Sequence, residues 1–116
     1  MKTDSAYLHH ILDAIEQIQK YTQGYFEESF LADDKTVDAT LMQLEVIGEV
    51  SDRLSKEFKD AHPEIPFRFM ADMRNVAVHD YFGVIRKTVW QTCQDDLPPL
   101  KQTIARILEL ENQKAA

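Results

Sequence analysis

The stretch "MRNVAVHDYF", residues 73–82, sets Arg74, Asn75, His79, Asp80 and Tyr81 into an otherwise apolar run. A histidine, with an unperturbed pKa of about 6.5, can take or give a proton near neutrality. An arginine keeps its charge, and its paired donors match the geometry of a phosphate. Asn75 could donate a further hydrogen bond to phosphate or help fix the pose. Together these groups suit cleavage of an RNA phosphodiester by its own 2′-hydroxyl. That reaction needs a base for the hydroxyl proton, an acid for the leaving oxygen, and a cation for the charge that builds on phosphorus. One chain has a single histidine in this stretch. A symmetric dimer would bring two, one as base and one as acid, with two arginines for the phosphate. The chemistry of the residues therefore hints at a homodimer.

Arg74 and His79 are five positions apart, which on an ideal helix is about 140° around the axis. They converge only if the helix ends near His79, as Gly83 permits, or if a second copy contributes. His79-Asp80 also reads as the paired ligands of metal-dependent phosphohydrolases. Such a site needs further His and Asp ligands. His62 is available for it, but Asp95 and Asp96 fall at an expected helix start, so no metal or cofactor is assigned. His9 and His10, adjacent on a helix, point in different directions and read as surface residues. Cys93 has no basic neighbour in the sequence and reads as buried packing. Glu49 could orient Arg74 or His79 across the fold, but the expected state is a solvated carboxylate on a helix face. Glu27, Glu28, Asp33 and Asp34 read as solvated caps that could also meet a basic partner.

With 116 residues, the chain has the length of one domain, 1–116, with a single core. Its longest apolar runs are a few residues, so no transmembrane helix is expected. "MKTDSAYLHH" has no basic flank leading into an apolar core, so no signal peptide is expected. One cysteine allows neither an intrachain disulfide nor a cysteine zinc cluster, and a cytoplasmic protein is expected. The net charge of −7 argues against a general nucleic-acid-binding surface. The charge is uneven, however. From His62 to Lys87 four basic side chains outnumber three acidic ones, a balance of +1 that leaves −8 on the remainder. The candidate residues occupy the least acidic part of the chain, where a local phosphate site is plausible.

The elements that must position them are all helices. There is no sustained alternation and no Asn-Gly or Asp-Gly turn. Leu8, Ile11, Ile15 and Ile18 form one apolar stripe on a helix from about Asp4 to Tyr21, stopped at Gly24. "YFEESFLA" can hold a short helical turn. Asp33 or Asp34 can cap a long second helix bearing Val37, Leu41, Leu44, Ile47, Leu54 and Phe58, ending near Ala61 ahead of Pro63. Gly48 within it costs about 1 kcal/mol relative to alanine. Close approach of another backbone would account for that glycine, as would simple tolerance. Pro66 opens a third helix, with Phe69, Met70 and Met73 apolar, that leads into the motif. A helix of about Ile85 to Cys93 presents Val89 and Trp90 to the core. A last helix, capped by Asp95 or Asp96 with Pro98 and Pro99 in its first turn, buries Leu100, Ile104, Ile107 and Leu108. The tail "ENQKAA", about 111–116, is expected to fray. The fold class is all-α, a helical bundle built on an antiparallel hairpin of two long helices, with shorter C-terminal helices.

"RNVAVHDY" resembles the R-x4-6-H motif of the HEPN superfamily, and more closely the R-x4-H-x-Y form of HepT-like toxins. The flanks agree in order. "LEVIGEVSDRLS" looks like the family's second long helix, "IPFRFMADMRNVAVHDYFGV" like its signature region, and "VWQTCQDDLPPLKQTI" like the start of its C-terminal helix. The resemblance implies a metal-independent endoribonuclease, the toxin of a type VII-like toxin–antitoxin system, working as a homodimer with the motif at the dimer cleft. It makes Arg74 and His79 the catalytic pair, with Asn75 and Asp80 in support. It implies an antitoxin of the minimal nucleotidyltransferase (MntA) type, which transfers AMP from ATP to Tyr81. Transfer RNA and messenger RNA are both candidate substrates. Two other readings are distinct: a non-catalytic helical module that binds nucleotide or partner, and the metal-dependent phosphohydrolase. Tyr81 could also be a half-buried packing residue.

Overall fold

Thr3 opens the first helix by accepting a hydrogen bond from the Ala6 amide (3.3 Å), and the chain stays helical as α1 over Asp4–Thr22. The expected stripe is its buried face: Leu8, Ile11, Ile15 and Ile18 are fully buried. Gly24, at φ +80°, takes the left-handed conformation that lets the chain leave the helix. In the computed structural model the described residues are 3–79 and 86–115, with only the backbone described for 75–79 and 115. Within them every regular element is helical: α2 Glu27–Leu31, α3 Asp34–Ser51, α4 Lys56–Ala61, α5 Phe67–His79, α6 Arg86–Gln91 and α7 Leu97–Ala115.

Asp33 caps α3 through the Thr36 amide (3.1 Å) and also accepts from the Tyr25 hydroxyl at 2.5 Å. The hydroxyl of Tyr25 thus joins the end of α1 to the start of α3. At the opposite end, Asp4 accepts from the Ser55 amide (2.8 Å) and hydroxyl (2.7 Å). The two ties make α1 and α3 the expected antiparallel hairpin. Val37, Leu41, Leu44 and Ile47 of α3 face inward, and α5 packs on α3 through Met70 and Met73. α7 returns along α1, buries Leu100, Ile104, Ile107 and Leu108, and ties Lys101 to Gln19 (3.0 Å). The Trp90 ring lies 5.2 Å from that of Phe30, joining α6 to α2.

Two boundaries differ from expectation. The second long helix does not run to Ala61. It stops at Ser51, and α4 begins afresh at Lys56. Serine hydroxyls compete with backbone donors and acceptors, and "SDRLS" has one at each end of the break. Ser51 donates to the Gly48 carbonyl (2.8 Å), while Ser55 caps α4 by accepting from the Phe58 amide (3.0 Å). Leu54 and Phe58 remain buried across the corner. Nor is the last helix a separate element capped by Asp95 or Asp96. α6 passes through a π-helical turn, Thr92–Asp96, straight into α7. Pro98 and Pro99 lack amide hydrogens and crowd the carbonyls of the preceding turn. A wider turn just upstream accommodates both without ending the helix. α7 extends to Ala115, through most of the tail. Gly83, the expected break after the motif, lies outside the described residues.

Candidate functional site

The site starts from a close helix crossing. A Cβ built on Gly48 would stand 3.0 Å from Arg74 Cβ, 3.0 Å from the Met70 carbonyl oxygen and 3.1 Å from the Arg74 amide. Close approach is therefore the reason for this glycine. α5 is seated directly on the α3 backbone at the position of Arg74, and the Met70 and Met73 side chains just before it on α5 are buried.

From there the Arg74 side chain, 40% exposed, runs along the outer edge of α3. Its Nη1 donates to Glu49 Oε2 at 3.0 Å and lies 2.9 Å from Asp52 Oδ2. Glu49 Oε1 is in turn 3.5 Å from Arg53 Nη2. The hydrogen bond from Arg74 holds the Glu49 carboxyl below its ordinary range, and Glu49 with Asp52 raises the guanidinium's hold on its proton. Glu49 is thus not the unpartnered carboxylate expected on a solvated helix face. Asp52 and Arg53 belong to the same cluster and were not singled out in the sequence. The E-x-x-D spacing, from α3 to its C-cap Asp52, brings both carboxylates to one side of the helix end, but their partner depends on how α5 crosses it. Beside the cluster, a groove of about 490 Å³ runs between α1 and α3, lined by Tyr7, Met42, Val46, Val50, Glu49 and Arg53.

α5 is helical through His79, so its position stands about 140° around the axis from Arg74 and about 7.5 Å along it. The side chains of Asn75 and His79 are not among the described features, and Asp80 and Tyr81 lie outside the described residues. Of the other candidates, His9 and His10 are exposed, as expected. Cys93 is buried, and burial pushes its thiol up to about 12. Asp33 is the α3 cap, held below its ordinary range chiefly by the Tyr25 hydroxyl. Asp34 pairs with Arg86 at 2.8 Å, and Glu27 and Glu28 occupy the first turn of α2. Among the described residues, no group of three or more His, Cys, Asp or Glu is arranged to hold a metal ion, and no helix is long and apolar enough to cross a membrane.

Residues 11–107, which include Arg74, His79 and Tyr81, match the family model described as "Ribonuclease HepT-like". The chain belongs to the HepT-like ribonuclease family. A relative from Thermococcus cleftensis, named "Probable ribonuclease HepT", is 46% identical over 95 residues, 82% of this chain and 86% of that protein. One from Caldanaerobacter subterraneus subsp. tengcongensis, named "Putative RNase TTE0752", is 36% identical over 111 residues, 96% of this chain and 99% of that protein. A third, from Methanocaldococcus jannaschii, is named "Gamma-glutamylcyclotransferase and putative RNase MJ0434". It is 37% identical over 103 residues, 89% of this HepT-like chain but 46% of that longer protein. No solved structure matches the chain. The resemblance read from "RNVAVHDY" and its flanks is thereby borne out at the level of the family.

Proposed function

We propose that this HepT-like chain is a metal-independent endoribonuclease toxin whose active site is shared by two copies. The observation that carries this reading is the family match across a segment holding R-x4-H-x-Y. In the reaction, one His79 removes the 2′-hydroxyl proton and the 2′-oxygen attacks phosphorus. The bond to the 5′-oxygen breaks, and the second His79 protonates that oxygen. The products are a 2′,3′-cyclic phosphate and a 5′-hydroxyl. Arg74 from each copy stabilises the charge that grows on the non-bridging oxygens, the role a metal ion would otherwise fill. Asn75 and Asp80 support the pose.

The spacing along α5 supports the dimer reading as well as the chemistry does. Arg74 turns toward α3, while the His79 position lies about 140° away on the same helix. A two-fold axis beside α5 would bring the complementary position from the second copy. Regulation fits the same motif. A minimal nucleotidyltransferase antitoxin transfers AMP from ATP to the Tyr81 hydroxyl, two residues from His79, with loss of the hydroxyl proton and release of pyrophosphate. The added phosphate puts negative charge and bulk where the RNA backbone must bind.

A mixing experiment tests the shared site. Parent chain is exchanged with increasing amounts of the His79→Ala variant at constant total protein, and RNA cutting is followed. Every mixed dimer lacks one of its two histidines, so cutting should fall as the square of the parent fraction. A fall in simple proportion would contradict the shared site.

A further inference from the structure

Two carboxylates grip the same nitrogen of Arg74. Glu49 Oε2 accepts a hydrogen bond from Nη1 at 3.0 Å, and Asp52 Oδ2 lies 2.9 Å from the same nitrogen as an ion-pair contact. Neither contact uses Nε or Nη2. These two form the side edge of the guanidinium, the fork that meets a phosphate with two parallel hydrogen bonds. The other end of the side chain is equally constrained, because Arg74 Cβ is packed against the α3 backbone at Gly48.

We infer that Glu49 and Asp52 are positioning residues that clamp Arg74 by Nη1 and turn its Nε–Nη2 edge outward for the phosphate at the cleavage point. This rests on the ribonuclease reading above. A single carboxylate on a long, half-exposed side chain would leave the guanidinium free to swing about one contact. Two carboxylate oxygens on one nitrogen, Glu49 of α3 by a hydrogen bond and its C-cap Asp52 by an ion-pair contact, restrict that swing. The pairs are too exposed to add much to stability. Their consequence is orientation: a charge that is already aimed need not reorganise as the transition state forms. The clamp also explains how an arginine beside two carboxylates can still bind an anion, since they occupy a different edge from the one the phosphate uses. Arg53, on the far oxygen of Glu49, completes a local balance of two positive and two negative charges.

The test compares the parent, the double variant Glu49→Ala with Asp52→Ala, and the conservative double variant Glu49→Gln with Asp52→Asn. Unfolding curves establish that each is folded. Single-turnover cutting of an RNA oligonucleotide should lose about a hundredfold in rate in the alanine pair, the scale of a misplacement of about 1 Å. KM should change far less, and the amide pair, which keeps an acceptor at both positions, should recover part of the rate. An unchanged rate would overturn the proposal. So would faster cutting with tighter RNA binding, which would mean that the carboxylates compete with RNA instead of aiming Arg74. The clamp is read independently, without RNA, from rotation of the Arg74 Nη groups by nitrogen-15 NMR. Hindered rotation is expected in the parent and free rotation in the alanine pair; free rotation in the parent would overturn the clamp whatever the cutting assay shows. A parent that shows hindered rotation but cuts no RNA would refute the ribonuclease reading alone.

Discussion

Replacing Gly48 with alanine sets two effects of known sign against each other. Alanine in a helix interior is favoured over glycine by about 1 kcal/mol, so on α3 alone the variant should be more stable. The new methyl would meet Arg74 Cβ and the Met70 carbonyl oxygen at 3.0 Å and the Arg74 amide at 3.1 Å. Two of these three atoms are backbone, which no rotamer change can move. α5 would have to withdraw by a few tenths of an ångström, unseating Met70 and Met73 from the core. Overpacking of this kind costs about 1–3 kcal/mol. The net expectation is a loss of roughly 1 kcal/mol, or about 4 °C in melting temperature. Because the displaced helix carries Arg74 away from Glu49 and Asp52, RNA cutting should fall more than stability does. Denaturant unfolding and a cleavage assay on the same preparations measure both. A variant more stable than the parent by about 1 kcal/mol would refute the close crossing, since propensity would then be acting alone.

Ser55→Ala removes the cap of α4 and one of the two hydrogen bonds to Asp4. It should lower stability by about 1 kcal/mol in urea titrations, and no change would argue against the break at residues 52–55. Cys93, with a thiol pushed up to about 12 by burial, should not react with a thiol reagent in mildly alkaline buffer until denaturant is added. Rapid reaction of the native protein would contradict its burial. Arg74 depresses the folded-state pKa of Glu49, so the pair's contribution is complete above the ordinary value of 4.5 and fades as pH falls through the lower folded value. Parent and Glu49→Gln should therefore differ only slightly in stability near neutral pH, the pair being half-exposed, and converge in acid; a difference that grew in acid would reverse the assignment.

The helical periodicity located the elements because it depends on local spacing. The α1 stripe of Leu8, Ile11, Ile15 and Ile18 and the Asp33 cap were both readable this way. What escaped was set by contacts between distant residues or by competition within a few. Apolar residues continue through Leu54 to Phe58 at helical spacing, and nothing in that pattern shows Ser55 binding Asp4, 51 positions away. Two prolines after two aspartates read as a helix start, whereas a π turn absorbs them into a continuous helix. At the candidate site, Arg74 was legible from its motif. Its carboxylate partners were not, because Glu49 and Asp52 look like any exposed acidic pair until α5 is laid across Gly48. That glycine was the one sign in the sequence that another backbone passes there.

Metal-independent cutting of RNA by the R-x4-H motif is tested most directly by incubating total cellular RNA with purified protein in excess EDTA, with the His79→Ala variant alongside. Mass spectrometry first selects protein free of AMP on Tyr81. Cutting should survive the chelator, leave 2′,3′-cyclic phosphate ends, and vanish in a variant that remains folded. Cutting that stops in EDTA, or that persists undiminished in His79→Ala, would contradict metal-independent cutting by this motif.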